Sequence, residues 1–263
     1  MTPPRRDRGT AVSLFTPDER ERLRAELVSQ AERDARIRAA AHTGSAAVGR
    51  EDRWSDIDLA LCIQDGAEID GVVDDWTSRM HRDHGAVAHH DVRRGATLFR
   101  VFLLESTLQV DLAFWSSAEF GAIAPTFRLA FGTATERPFP PPAPPSEFVG
   151  MAWLYALHVR SGICRGRRWQ AVYMLDGLRD NVMALACLRH GLPVREARGV
   201  DDLPDTVILP FEKTLAPTLS PAAVTSAFAA AIAALLHETR LVDADLASRL
   251  AGPLHALISD CDA

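Results

Sequence analysis

A proline-rich segment in the middle of the chain constrains the fold more than any other sequence feature. Residues 138–145 read Pro-Phe-Pro-Pro-Pro-Ala-Pro-Pro. Proline lacks the backbone N–H and fixes φ, so this stretch cannot form a helix interior or an inner strand. We therefore expect a stiff linker over residues 138–146, which separates one domain at residues 1–137 from a second at residues 147–263.

The sequence patterns on the two sides of this linker differ. After a loose tail at residues 1–15, Thr16 and Glu19 form a capping box that predicts a helix to about Arg33. The pattern that follows predicts strands at 37–43, 57–63, 97–104 and 108–114, and a polar helix at 68–84. Beyond the linker it predicts helices at 147–161, 168–190, 221–239 and 243–258. The expected fold class is α+β, an N-terminal α/β domain with a mixed sheet followed by a C-terminal helical bundle.

The composition limits the partners of the chain. Hydrophobic residues make up 47% of its 263 positions and the net charge is -6, which favours a globular core and disfavours a nucleic-acid partner. The four cysteines form no CxxC pair, which is typical of reduced thiols in the cytosol. The N-terminal arginines precede no apolar signal region, and no apolar run approaches the roughly 20 residues that span a bilayer. We therefore expect a cytoplasmic protein without a membrane partner.

The motif with the most chemical meaning is Asp56-Ile57-Asp58 at the mouth of a predicted strand. Aspartates at positions i and i+2 of a strand point to the same face, and paired carboxylates suit Mg²⁺ because the cation neutralises their repulsion. Asp111 interrupts a later apolar strand, where an unpaired charge is costly, and we expect it to complete the cluster. Two alternatives stay open: a solvated pair of strand-end acids, and an Asp111 that is paired with an arginine such as Arg100.

Gly44-Ser45 lies ten residues before this acid pair. Glycine lets the backbone approach a phosphate closely, and a turn into a short helix would direct N–H groups toward it, with the Ser45 hydroxyl as a further donor. We expect Gly44 and Ser45 to bind the phosphates of a nucleotide.

The set Gly44, Ser45, Asp56, Asp58 and Asp111 resembles the motif of the polymerase-beta-like nucleotidyltransferase superfamily. The resemblance covers about residues 35–115. With the helical half added, the chain looks most like the nucleotidyltransferases that adenylylate aminoglycoside or lincosamide antibiotics. The resemblance implies Mg²⁺ bound by the three aspartates, with Asp111 as ligand, base or both. It also implies transfer of a nucleoside monophosphate from an NTP, with ATP as the expected donor, to a small-molecule hydroxyl.

Other functions compatible with this motif remain open. One is a protein-modifying (AMPylating) nucleotidyltransferase of toxin–antitoxin type, although such proteins are usually shorter. Another is a polymerase or tRNA-tailing enzyme, which would need a basic track that this chain lacks. A third is a non-catalytic interaction module with a relic core.

The helical half offers a candidate acceptor site. Tyr173, Asp176 and Asp180 have the spacing i, i+3 and i+7 beside an apolar stripe. An aromatic and two acids facing a cleft would suit a cationic or hydroxyl-rich acceptor, whereas a solvated helix face with Asp–Arg179 pairing is the alternative.

Two histidine patterns favour no metal site. His89 and His90 are strand neighbours that point to opposite faces, and His81 and His84 have the spacing of an ordinary polar helix face.

Overall fold

The computed structural model describes residues 14–139, 141 and 143–259, and divides into two compact units, Met1–Pro140 and Pro141–Ala263. Most of the tail predicted at residues 1–15, and Pro140 and Pro142 of the predicted linker, lie outside the described residues. Phe15 is an exception to the loose tail, because its N–H donates to the Ser106 carbonyl at 3.0 Å and its side chain packs on the core.

The described part of the first unit is a six-stranded mixed sheet with three helices. In chain order the elements are α1 (Pro17–Arg33), β1 (Ile37–Thr43), α2 (Gly44–Ala47), β2 (Ile57–Ile63), α3 (Ile69–Asp83), β3 (Ala86–Arg94), β4 (Thr97–Leu104), β5 (Gln109–Trp115) and β6 (Phe127–Phe131). The strand order is β3-β4-β5-β2-β1-β6, with β2 and β5 parallel and the other neighbours antiparallel. The predicted mixed sheet is confirmed.

The two faces of the sheet are packed differently. On one face, alternate β2 residues such as Leu59 join a large core with Leu27 of α1 and Trp76 of α3. The other face is built mainly from small side chains, such as Ala60 and Ala113, with larger rings at one end. Because strand residues alternate between faces, the acids at the start of β2 and β5 lie on this second face.

Local sequence signals account for the start of α1. Thr16 and Glu19 form the predicted capping box, in which each side chain accepts a hydrogen bond from the other residue's backbone N–H. The helix ends at Arg33, as the sequence predicts.

Two strands were not predicted from the sequence. All residues of β3 after Ala86 are exposed, and β6 has only five residues. Both are edge strands, where burial does not impose the apolar alternation that identifies inner strands. His89 and His90 therefore lie within an edge strand.

The second unit is a helical bundle over its described residues, which confirms the predicted fold class. Its helices are α4 (Pro145–Cys164), α5 (Arg168–Arg189), α6 (Asp205–Glu212), α7 (Pro221–Val242) and α8 (Ala244–Ser259). Helix α4 begins within the segment predicted as linker, because proline suits the first position of a helix. The short helix α6, with Pro210 inside it, was missed.

From the sequence we expected no apolar segment long enough to span a bilayer. Helix α7 corrects this expectation, because by length and composition it could cross a membrane. Half of its most apolar window is buried inside the unit, where Phe228 and Leu235 belong to the bundle core. Its buried Glu238 accepts two 3.0 Å hydrogen bonds from Arg189. These features are those of a core helix.

Candidate functional site

The turn from β1 into α2 lies directly against Asp58. Gly44 has φ +60°, and a Cβ at this position would overlap Oδ2 of Asp58. Only glycine therefore fits both the left-handed backbone and the close approach. Helix α2 has only four residues, so any phosphate binding here depends on close backbone approach and on the Ser45 hydroxyl, with little contribution from a helix dipole.

The three predicted carboxylates are carried by two adjacent parallel strands. Asp58 of β2 and Asp111 of β5 are register partners, so their side chains leave the same face of the sheet side by side. Asp56 lies two residues before Asp58, and its Oδ2 accepts a 3.2 Å hydrogen bond from Nε2 of Gln109. The structure thus places the three acids at one end of the face that carries the small side chains.

Asp111 has an unusual electrostatic environment. Its Oδ1 is buried and has no hydrogen-bond partner among the described residues. Burial, and secondly the charge of Asp56, raise the pKa of the Asp111 carboxyl to about 6, while Arg94 acts in the opposite direction. A partly buried carboxylate that has one buried, unused oxygen and lies beside a second acid has the properties of a cation ligand.

The alternative pairing of Asp111 with Arg100 is wrong. The Arg100 guanidinium donates to both Asp91 oxygens, at 2.7 and 2.8 Å, and to the Thr77 hydroxyl at 2.6 Å. The unpredicted strand β3 supplies Asp91, which is why the sequence did not reveal this pair.

The donor set fits magnesium by its chemistry, because hard carboxylate oxygens are the ligands that this ion takes in proteins. Among residues 14–139, 141 and 143–259, no group of three or more His, Cys, Asp or Glu side chains is close enough to hold a metal ion. The aspartates therefore line one face without forming a closed ligand set. The unused oxygen of Asp111 and its repulsion from Asp56 are the observations that favour a cation there.

Two further residues of this region were missed by the sequence analysis. Gln109, which hydrogen-bonds Asp56, is two positions before Asp111 on β5 and so shares its face, a signal that the strand period could have given. Arg128 of β6 donates to the Ala46 carbonyl of α2 at 3.1 Å, which places a cation beside the Gly44-Ser45 turn. Nothing local indicated Arg128, since β6 itself was not predicted.

In the helical unit the predicted acceptor residues lie on the surface of α5. Tyr173 is 72% exposed, and Trp169, one turn earlier and not identified from the sequence, is 78% exposed. Asp176 accepts a 2.7 Å hydrogen bond from Arg179, the pairing that the alternative interpretation expected. The role of these residues in acceptor binding stays a prediction.

Asp180 is exposed on α5 but lines a cavity of about 300 Å³ with Val194 and Glu196. Partial burial is the main cause that raises the pKa of its carboxyl, with Arg179 lowering and Asp176 raising it. This cavity gives the acidic end of the helix face a concave surface.

The histidines show one contact that their spacing did not suggest. His81 of α3 and His89 of β3 approach at 3.0 Å between Nε2 and Nδ1, and the other ring nitrogen of His81 is 2.7 Å from the Ala86 carbonyl. His84 and His90 do not take part in these contacts.

The chain is distantly similar to a solved enzyme structure. No protein-family model matches the chain, and no curated protein matches it. Among solved structures it is similar to an aminoglycoside 6-adenyltransferase from Bacillus subtilis, at 13% sequence identity, 93% coverage of this chain, 99% coverage of that chain and a TM-score of 0.40. At this level of similarity, the function has to be inferred from the site itself.

Proposed function

We propose that this protein is a nucleotidyltransferase, which moves a nucleoside monophosphate from a magnesium–NTP to a hydroxyl of a small molecule. The observation that carries the proposal is the side-by-side register of Asp58 and Asp111, with Asp56 beside them and the Gly44 turn in contact with Asp58. A metal–triphosphate needs two neighbouring features, a glycine turn that binds its phosphates and acidic side chains that bind its cation.

Each group has a distinct role in this proposal. Asp56 and Asp58, with Asp111, hold Mg²⁺, which when bound neutralises charge on the phosphate oxygens. The Gly44 backbone and the Ser45 hydroxyl bind the β- and γ-phosphates. ATP is the proposed donor.

Asp111 is also suited to accept the proton of the acceptor hydroxyl. The metal-free pKa of its carboxyl, about 6, leaves it mostly ionised at pH 7, and bound Mg²⁺ would lower that pKa further, so an ionised carboxylate is present to accept a proton. In the step that we propose, the acceptor oxygen forms a bond to the α-phosphorus. The bond between the α- and β-phosphates breaks, pyrophosphate leaves, and the hydroxyl proton passes to Asp111.

The proposed acceptor is cationic and rich in hydroxyls, as aminoglycosides are, with lincosamides as a second class. The support is the α5 face on which exposed Tyr173 is followed by Asp176 and Asp180. Acids attract a cation, and an exposed aromatic ring offers an apolar surface for a sugar ring.

A screen of pyrophosphate release tests the function. The protein is incubated with Mg²⁺ and each of the four NTPs, together with aminoglycosides, lincosamides or a cell protein extract. Pyrophosphate release is measured, and the masses of the products are determined by mass spectrometry. We expect release with one small-molecule class and a product heavier by one nucleoside monophosphate, both abolished by Asp56→Asn.

The other outcomes distinguish the alternatives. Labelling of proteins alone would support the protein-modifying enzyme. Absence of both transfer and metal-dependent nucleotide binding would favour the relic module.

A further inference from the structure

The segment that delivers Asp56 to the sheet has little regular structure of its own. Residues 48–56, which we call the aspartate loop, connect α2 to β2. Inside it, the Asp52 carboxylate accepts from the Trp54 N–H at 2.8 Å and from the Ser55 hydroxyl at 3.1 Å. These bonds close a small turn, but they do not attach that turn to the rest of the unit.

Arg20 of α1 makes that attachment. Its side chain is almost fully buried, and Nη1 donates to the Asp52 carbonyl at 2.5 Å and to the Ser55 carbonyl at 3.0 Å. One guanidinium nitrogen thus joins both ends of the turn, and its second contact is one residue before Asp56. Arginine suits this task because its planar, permanently charged group has donors in fixed directions.

A second arginine and an acid complete the buried cluster. Glu51 of the loop forms a 2.5 Å hydrogen bond with Nη1 of Arg24, and its Oε1 is 3.3 Å from Nε of Arg20, without hydrogen-bond geometry. Arg24 also pairs with Glu21. Arg20 and Arg24 are one turn apart on α1, and both are 5% exposed.

Burying guanidinium groups between a helix and a sheet carries an unfavourable desolvation free energy. Removing an ion from water costs several kcal/mol, and apolar residues of similar size often stabilise a fold equally well or better. The contacts show what the two arginines contribute. Arg20 donates two hydrogen bonds to loop carbonyls, and Arg24 donates one to the loop carboxylate of Glu51. An apolar side chain could replace none of these bonds.

We propose that Arg20 is a positioning residue, with the Glu51 carboxylate as its neighbouring counter-charge. It fixes the aspartate loop so that Asp56 is held beside Asp58 and Asp111. This inference rests on the proposed function of the three aspartates. It extends the site to the buried side of α1, which touches no nucleotide or acceptor in the proposal.

The first experiment measures loop order without metal or nucleotide. Hydrogen–deuterium exchange followed by mass spectrometry is applied to wild type, Arg20→Lys, Glu51→Gln and the control Arg22→Lys, which alters an exposed arginine of the same helix. We expect Arg20→Lys and Glu51→Gln to speed exchange over residues 50–57 by about tenfold or more, with strands β4 and β5 unchanged. The control should match wild type.

The second experiment measures Mn²⁺ binding by electron paramagnetic resonance, with Mn²⁺ as the probe for the carboxylate site. Substitution of a residue that orients a metal ligand typically weakens metal binding by about 10- to 100-fold, and we expect a loss of Mn²⁺ affinity in this range for Arg20→Lys. Asp58 and Asp111 remain in an Asp56→Asn background, and there the same substitution should leave the residual Mn²⁺ affinity, titrated at millimolar Mn²⁺, unchanged, because Arg20 acts through Asp56.

The outcomes separate this inference from the proposed function. Unchanged exchange in the loop, a rise spread evenly over the first unit, or an additive loss in the Asp56→Asn background would each overturn the positioning role. Failure of wild type to bind Mn²⁺ would overturn the metal site and, with it, the purpose assigned to Arg20. Faster loop exchange with unchanged Mn²⁺ affinity would show that Arg20 orders the loop only for folding, which also contradicts the proposal.

Discussion

Asp58 and Asp111 are register partners in two parallel strands, so their carboxylates leave the same face of the sheet from neighbouring positions. Parallel partners keep this relationship only if both strands enter the sheet in one register, and a slip by one residue would turn one acid to the opposite face. The proposed chemistry depends on this pairing more than on either residue alone.

Asp56→Asn and Asp58→Asn should each abolish the stabilisation of the protein by Mg²⁺ with an NTP. A ligand at a hundred times its Kd stabilises a native protein by about 2.7 kcal/mol, and loss of a carboxylate ligand removes the metal-dependent part. Thermal unfolding with and without Mg²⁺–ATP measures the effect, with Asp74→Asn, an exposed acid of α3, as the control. A wild-type protein that shows no shift with any NTP would contradict the proposed function.

Asp111→Asn should stabilise the metal-free protein at neutral pH. The folded pKa, about 6, exceeds the usual 3.8, so the folded state binds this proton more tightly and loses stability as pH rises from about 4 to 6. An amide avoids that penalty, and we expect a gain of up to roughly 3 kcal/mol at pH 7.5 that shrinks toward zero at pH 4. Urea unfolding in a chelator across this pH range measures it. A gain that is the same at all pH values would show that burial of the charge is not the cause.

Ser45→Ala should weaken triphosphate binding with little effect on the fold. The hydroxyl would donate to a charged phosphate, and losing such a bond costs roughly 1.5–3 kcal/mol, or about 10- to 100-fold in Kd. Isothermal titration with Mg²⁺–ATP compares this variant with Ser248→Ala, whose hydroxyl donates within α8. Equal affinities would mean that the backbone alone binds the phosphates.

Gly44→Ala and Gly49→Ala form a matched pair that tests the contact with Asp58. Both glycines have positive φ, so each alanine carries a backbone cost of about 1–2 kcal/mol. A Cβ meets Asp58 at Gly44 but open space at Gly49. We therefore expect both variants to lose stability, and only Gly44→Ala to lose Mg²⁺–ATP binding as well. Similar binding by the two variants would argue against a role for the Gly44 contact.

Asp176→Asn and Asp180→Asn should impair use of the acceptor while ATP affinity stays unchanged. If these acids attract a cationic acceptor, each variant should lower kcat/KM for the acceptor by roughly tenfold, and added salt should weaken the wild-type reaction more than that of the double variant. Steady-state kinetics with the acceptor found in the screen test this, with Asp245→Asn, exposed on α8, as the control. Unchanged acceptor kinetics would remove α5 from the acceptor site.

Local signals made part of the fold predictable. The capping box at Thr16, strands β1, β2 and β4, and the glycine that begins α2 depend on residues that are neighbours in the chain. The aspartate motif was visible for the same reason, because an i, i+2 spacing on a strand needs no knowledge of the rest of the fold. The sequence by itself thus determined the elements that carry Gly44, Asp58 and Asp111, and it singled out these residues with Ser45 and Asp56 as candidates.

Only the tertiary structure decided which distant groups meet. The register of β2 on β5 aligns Asp58 with Asp111, and the edge strand β3 brings Asp91 to Arg100, which leaves Asp111 without that arginine. Arg20 reaches the aspartate loop across more than thirty positions of the chain. These contacts depend on strand pairing and burial across long sequence separations, which no spacing along the chain encodes, and they determine the charge and order of the candidate site.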